Sequence, residues 1–105
     1  MLEIARLLQS GNLKLGIDII LFDVEDYGNS QVEDSYCLGS QYWSKNKHVK
    51  NYHPKYGILL DMVGAKNATF AMEGYSMMYA PHIVKSVWKT AAQIGYSHHF
   101  IFNRT

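Results

Sequence analysis

At 105 residues the sequence suits one domain and leaves little room for a second. Hydrophobic residues make up 48% and charged residues 18%, which excludes a disordered polar chain. A formal net charge of +1, with lysines scattered between Lys14 and Lys89, excludes the continuous basic face that a nucleic acid partner requires.

The first residues, Met1 to Arg6, lack a basic segment followed by an apolar one, so no export signal is read here. Apolar residues Leu2, Ile4, Ala5, Leu7 and Leu8 recur at helical spacing, and Gly11 with Asn12 supplies a stop. The run Ile17 to Phe22 is rich in β-branched and large apolar residues and ends at a Tyr27-Gly28-Asn29-Ser30 turn. It predicts a strand buried on both faces; Asp18 interrupts it, and it is far too short to cross a bilayer. Asp34 is placed to cap a helix carrying Leu38 and Tyr42 on one face, despite Gly39 within it. Residues 46 to 56 are polar, include Pro54, and form a connector. A second strand is predicted over Gly57 to Leu60 and a short third over Thr69 to Met72. Pro81 opens a helix with Val84, Val87, Trp88, Ala91 and Ala92 on its inner face, and Gly95 ends it. Helices alternating with strands predict an α/β fold, a mostly parallel sheet flanked by helices.

Both long apolar runs lead into acids: Asp23, Glu25 and Asp26 after the first, Asp61 after the second. In open α/β sheets, ligands bind beyond the carboxyl ends of parallel strands, where Glu25, Asp26 and Asp61 would fall. Neighbouring carboxylates repel one another, and a cation among them relieves that repulsion. Carboxylates hold zinc, and an unligated one can take a proton from water. Acids in these positions also serve as solvated turn residues or helix caps, and spacing alone does not choose between the readings.

Three strings carry a resemblance. Gly16-Ile-Asp-Ile-Ile-Leu-Phe-Asp-Val-Glu-Asp-Tyr-Gly28 resembles the strand and acidic doublet of the M28 zinc aminopeptidases. Asp34-Ser-Tyr-Cys-Leu-Gly-Ser-Gln-Tyr-Trp43 is similar to the segment of that family in which an Asp precedes a Gly-Ser and an aromatic helix. Leu59-Leu-Asp-Met-Val-Gly-Ala-Lys-Asn-Ala-Thr-Phe70 resembles a stretch of the glutaminyl cyclase branch of the same superfamily. The resemblance implies a partial zinc-exopeptidase fold, with Glu25 as general base, Asp26 as a zinc ligand, and Asp61 as ligand of the other zinc. In the single-zinc cyclases, the Asp61 position is instead a hydrogen-bonding catalytic acid. Val24 stands where the family usually has a small residue.

The resemblance also implies zinc ligands outside these residues: a bridging Asp with its His upstream, and a last His downstream. The expectation is therefore an internal piece of a peptidase with an incomplete metal site and weak or absent zinc binding. Its implied substrates are peptides from which an N-terminal residue is removed. Glutaminyl cyclisation is the alternative reaction, and a non-catalytic module that forms homo-oligomers through exposed sheet edges is the alternative of another class. Relatives of this kind are often exported, and the sequence fixes no compartment.

The remaining reactive side chains read as structural. His48, His53 and His82 lack any metal-binding spacing, and His98 and His99 precede a tail unlike the family's metal segment. Tyr36, Tyr42, Trp43, Tyr52 and Tyr56 read as packing residues before pocket walls, and Met72, Met77 and Met78 as gap-fillers. Cys37 has no partner for a disulfide and reads as a buried thiol. Asn67-Ala-Thr69 and Asn103-Arg-Thr105 fit the glycosylation sequon without bearing on function.

Overall fold

The computed structural model describes residues 1–104, so the last residue of the Asn103 sequon lies outside the described residues. The chain divides into two compact units, Met1–His53 and Pro54–Thr105.

The first unit holds helix α1 (Leu2–Gln9) and helix α2 (Leu38–Lys45), joined by irregular backbone. Ala5 and Leu8 of α1, with Leu13, Leu15, Ile17 and Ile19, line a shallow apolar cavity of about 420 Å³. The predicted strand over Ile17 to Phe22 is not formed. A strand exists only as part of a hydrogen-bonded ladder, and this run has no such partner among the described residues. Nor is it buried: Ile19 and Ile20 are half-covered, while Leu21 is 71% exposed.

Asp34 does not cap α2, which starts four residues later. The backbone before it is held by a side-chain network instead. Asn29 N–H donates to Ser35 Oγ (2.8 Å), that hydroxyl donates to Asn29 O (2.9 Å), and Gln41 Nε2 donates to the carbonyls of Asp34 and Tyr36 (both 2.9 Å). The N-cap is Cys37, in the left-handed region with φ +56°, and it makes no side-chain capping bond. Its thiol is exposed rather than buried.

The second unit contains strand β1 (Phe70–Met72), helix α3 (Gly74–Tyr79), helix α4 (Pro81–Gln93) and strand β2 (Phe100–Arg104). β1 and β2 pair in parallel, Phe70 opposite Phe100 and Met72 opposite Arg104, with a register irregularity between. The crossover through two helices is what a parallel pair demands, and it gives the α/β architecture expected. Met72, Val84 and Ala91 are the buried hydrophobic residues among the described residues. Phe100 packs on Phe70 at 5.3 Å and on the edge of Trp88 at 5.2 Å. The Trp88 indole N–H donates to Ile101 O (2.9 Å), tying α4 to β2.

α4 ends as its sequence predicts. Gly95, with φ +89°, stands at C′, and Tyr96 N–H donates to Ala91 O (2.8 Å) while Gly95 N–H donates to Ala92 O (3.2 Å). These are the two bonds that cap the last carbonyls of a helix closed by glycine. α3 opens on Glu73, whose carboxylate accepts from the backbone N–H groups of Tyr75 and Ser76 and from the Ser76 hydroxyl, all at 2.7 Å. Those bonds hold the Glu73 carboxyl below its ordinary value, the Ser76 hydroxyl acting most strongly. The strand expected over Gly57 to Leu60 is absent for the same reason as the first: it has no ladder partner among the described residues. No described helix is long and apolar enough to cross a membrane.

Candidate functional site

In the first unit, the irregular run from Ile17 feeds directly into the acidic doublet, and the N-terminal end of α2 holds the backbone there. Leu38 N–H donates to Val24 O (3.1 Å) and Cys37 N–H donates to Glu25 O (2.8 Å). Gly39, in the first turn of α2, lies so close to Asp23 that a β-carbon would stand 2.5 Å from Asp23 Oδ1 and closer still to Asp23 O. Only glycine permits that approach. Val24 itself has φ +50°, a conformation in which a β-branched residue is strained.

The carboxylates of Glu25 and Asp26 are exposed, and no basic side chain pairs with either among the described residues. Glu25 Oε1 lies 3.9 Å from Cys37 Sγ, a weak contact that leaves the second oxygen free. Fixed backbone and free carboxylates are what a proton acceptor or a metal ligand needs. Asp61, in the second unit, is exposed and begins the turn through Met62, whose φ is +48°.

Zinc chemistry can be tested against these residues. A catalytic zinc takes three protein ligands and keeps one position open. Among the described residues, no three His, Cys, Asp or Glu side chains group closely enough to hold a metal ion. The described residues therefore do not fit a complete zinc centre.

His99 is committed elsewhere. Its Nδ1 donates to Ala68 O at 2.7 Å, since a carbonyl can only accept, and its ring lines an open cavity of about 230 Å³ with Asn67, Phe70 and Tyr96. His98 packs on His99 with ring centroids 4.1 Å apart. Trp43 and Tyr52 pack as expected, edge to face at 5.7 Å, whereas Tyr42 and Tyr56 are exposed. Met72 is core; Met78 is exposed.

What the sequence did not reveal is the clamp of Cys37, Leu38 and Gly39 on the acidic turn. Gly39 was its one signal, because a glycine inside a helical stretch weakens the helix and so points to a packing reason for its presence.

The model of Peptidase family M28 matches residues 1–105. A leucine aminopeptidase precursor from Bacteroides thetaiotaomicron is 53% identical, with a TM-score of 0.93 over 99% of this chain and 38% of that one. A Zn-dependent exopeptidase from Parabacteroides distasonis is 50% identical, with a TM-score of 0.94 over 99% of this chain and 37% of that one. Porphyromonas gingivalis glutaminyl cyclase is 56% identical, with a TM-score of 0.91 over 98% of this chain and 38% of that one. A comparison with curated proteins finds no match. The chain spans well under half the length of these solved structures, and it belongs to peptidase family M28.

Proposed function

We propose that this chain is part of a zinc-dependent exopeptidase that removes N-terminal residues from peptides. The observation that carries the proposal is the acidic doublet, held at Val24 O and Glu25 O by α2 while no basic side chain among the described residues pairs with either carboxylate. Glu25 is the general base that takes a proton from the attacking water. Asp26 in the first unit and Asp61 in the second are the carboxylates that the family resemblance assigns to zinc.

Glutaminyl cyclisation is the second reading, supported by Ala65, Asn67, Thr69 and Phe70 and by similarity to a glutaminyl cyclase at 56% identity. In that reaction no water attacks, because the peptide's own amine closes on its side-chain amide. Peptides beginning with Leu and with Gln separate the two. Release of free leucine, abolished by Glu25→Gln, supports hydrolysis, and a pyroglutamyl product supports cyclisation.

A non-catalytic, self-associating role is the third reading. Large apolar side chains that the chain leaves exposed, Leu2 at 82%, Leu59 at 81% and Leu21 at 71%, are surface that self-association would cover. A monodisperse monomer in light scattering would count against this role. Zinc measured after purification without chelator should fall well below one ion per chain; full occupancy would revive a complete centre.

A further inference from the structure

Trp43 is the hub of an aromatic cluster within the first unit. Phe22 meets it edge-on at 5.7 Å, Tyr52 edge-on at 5.7 Å, and His48 lies nearly parallel to it at 6.0 Å, with 19° between the planes. His48 and Tyr52 are themselves 4.7 Å apart, and the Tyr52 hydroxyl donates to Asp18 Oδ2 at 2.9 Å. Phe22 and Asp18 belong to the run that leads into Glu25 and Asp26. The cluster therefore fastens that run to α2 and to the segment after it.

One polar bond holds the hub. Trp43 Nε1–H donates to His48 Nδ1 at 3.1 Å. An indole N–H is only a donor, so Nδ1 must present a lone pair and the ring proton must sit on Nε2. An imidazolium carries protons on both nitrogens, and the bond then becomes a clash of two donors. The charge finds little compensation nearby. Lys47 Nζ already stands 4.2 Å above the Trp43 ring, and it donates to Trp43 O (3.3 Å) and Ser44 O (2.6 Å), carbonyls near the C-terminal end of α2 that would otherwise attract a cation. Asp18 is the anion of the cluster, and its Oδ2 is taken by Tyr52. His48 is exposed, so protons reach it freely.

We propose that the Trp43–His48 bond is a pH-sensitive latch, closed with neutral imidazole and opened by its protonation, which loosens the hold of α2 on the run entering the acidic doublet. The latch goes beyond the peptidase reading and stands whether or not the chain holds zinc.

The test follows the indole N–H resonances of the full chain, ¹⁵N-labelled, from pH 8 to pH 5, the range in which imidazoles charge. There are two tryptophans. Trp88 donates to a carbonyl that does not titrate, so its resonance is the internal reference; Trp43→Phe assigns the other. The Trp43 resonance should move with a single titration, and its protection from exchange should fall about fivefold, the worth of one hydrogen bond. His48→Asn keeps a neutral acceptor and should hold the Trp43 signal fixed across the range. His48→Ala should show the low-pH signal at every pH. Amides at Gln41 and Asn46, bonded to Cys37 O and Tyr42 O, report how far along α2 the loosening spreads, and the Tyr96 amide, bonded to Ala91 O, reports that the second unit stays folded in each variant. A Trp43 resonance that is flat in the parent chain, or that titrates equally in His48→Asn, overturns the latch.

Discussion

Replacing Gly39 by alanine should unfasten the acidic turn from α2. The new β-carbon would stand 2.5 Å from Asp23 Oδ1, 3.1 Å from Asp23 N and nearer still to Asp23 O. The side-chain oxygen can rotate away, but the backbone oxygen cannot. Ordinary carbon contacts begin near 3.5 Å, so the backbone at 23–25 must retreat by about 1 Å. That retreat carries Val24 O and Glu25 O out of reach of Leu38 N–H and Cys37 N–H, now at 3.1 and 2.8 Å. Two lost bonds cost about 2 kcal/mol, and alanine's better helix propensity returns up to about 1 kcal/mol. The net local loss of about 1–2 kcal/mol is a 5- to 30-fold fall in exchange protection at the Cys37 and Leu38 amides. Hydrogen exchange read by NMR measures it directly. Gly16→Ala, whose β-carbon meets nothing within 4 Å, is the control and should leave both amides unchanged. If Gly39→Ala leaves them protected, the close packing on Asp23 does not hold the turn.

Other perturbations probe the second unit. Val84→Ala removes two methyl-sized groups from a buried site and should lower stability by about 2 kcal/mol, seen as a lower urea midpoint with an unchanged slope. Gly95→Ala forces a β-carbon into φ +89° and should cost about 1–2 kcal/mol, with fraying confined to the last turn of α4; a neutral result would mean that the turn relaxes. Glu73 stabilises α3 through a carboxyl value lowered by its bonds to Ser76 and Tyr75. The sign follows from linkage. The contribution is complete above the ordinary glutamate value of about 4.3 and is lost as the pH falls through the lower value of the folded state. The Tyr75 and Ser76 amide shifts should therefore titrate below that ordinary value, and a midpoint at or above it contradicts the cap.

How much was legible depended on whether the cause was local. α1 and α4 were readable because helical spacing and a closing glycine are local signals, and Gly95 takes the conformation that its position demands. The acidic doublet was readable as a string for the same reason. Ile17 to Phe22 and Gly57 to Leu60 have strand composition, but composition says nothing of partners, and neither run has one among the described residues. α3 went unseen because Gly74–Tyr79 is too short to show a period, and β2 because Phe100–Arg104 offered only a brief aromatic alternation. Cys37 was misread as buried because free cysteines usually are. A left-handed N-cap residue beside the acidic turn is set by the closure of the loop, not by the thiol.

α2 grips the run from residue 18 to residue 26 twice. Its N-terminal end does so through Cys37, Leu38 and Gly39, and its C-terminal half does so through Trp43 on Phe22. A helix of eight residues is marginal by itself, so α2 must draw its order from the same contacts that order the run. No residue of α1 or α2 is buried, and the unit has no apolar core to fall back on. The two grips should therefore support each other: loosening either by substitution at Gly39 or by protonation at His48 should lower exchange protection along the whole of α2. If only the perturbed end responds, α2 is stable without the run, and the acidic doublet is held by fewer contacts than the hydrogen bonds suggest.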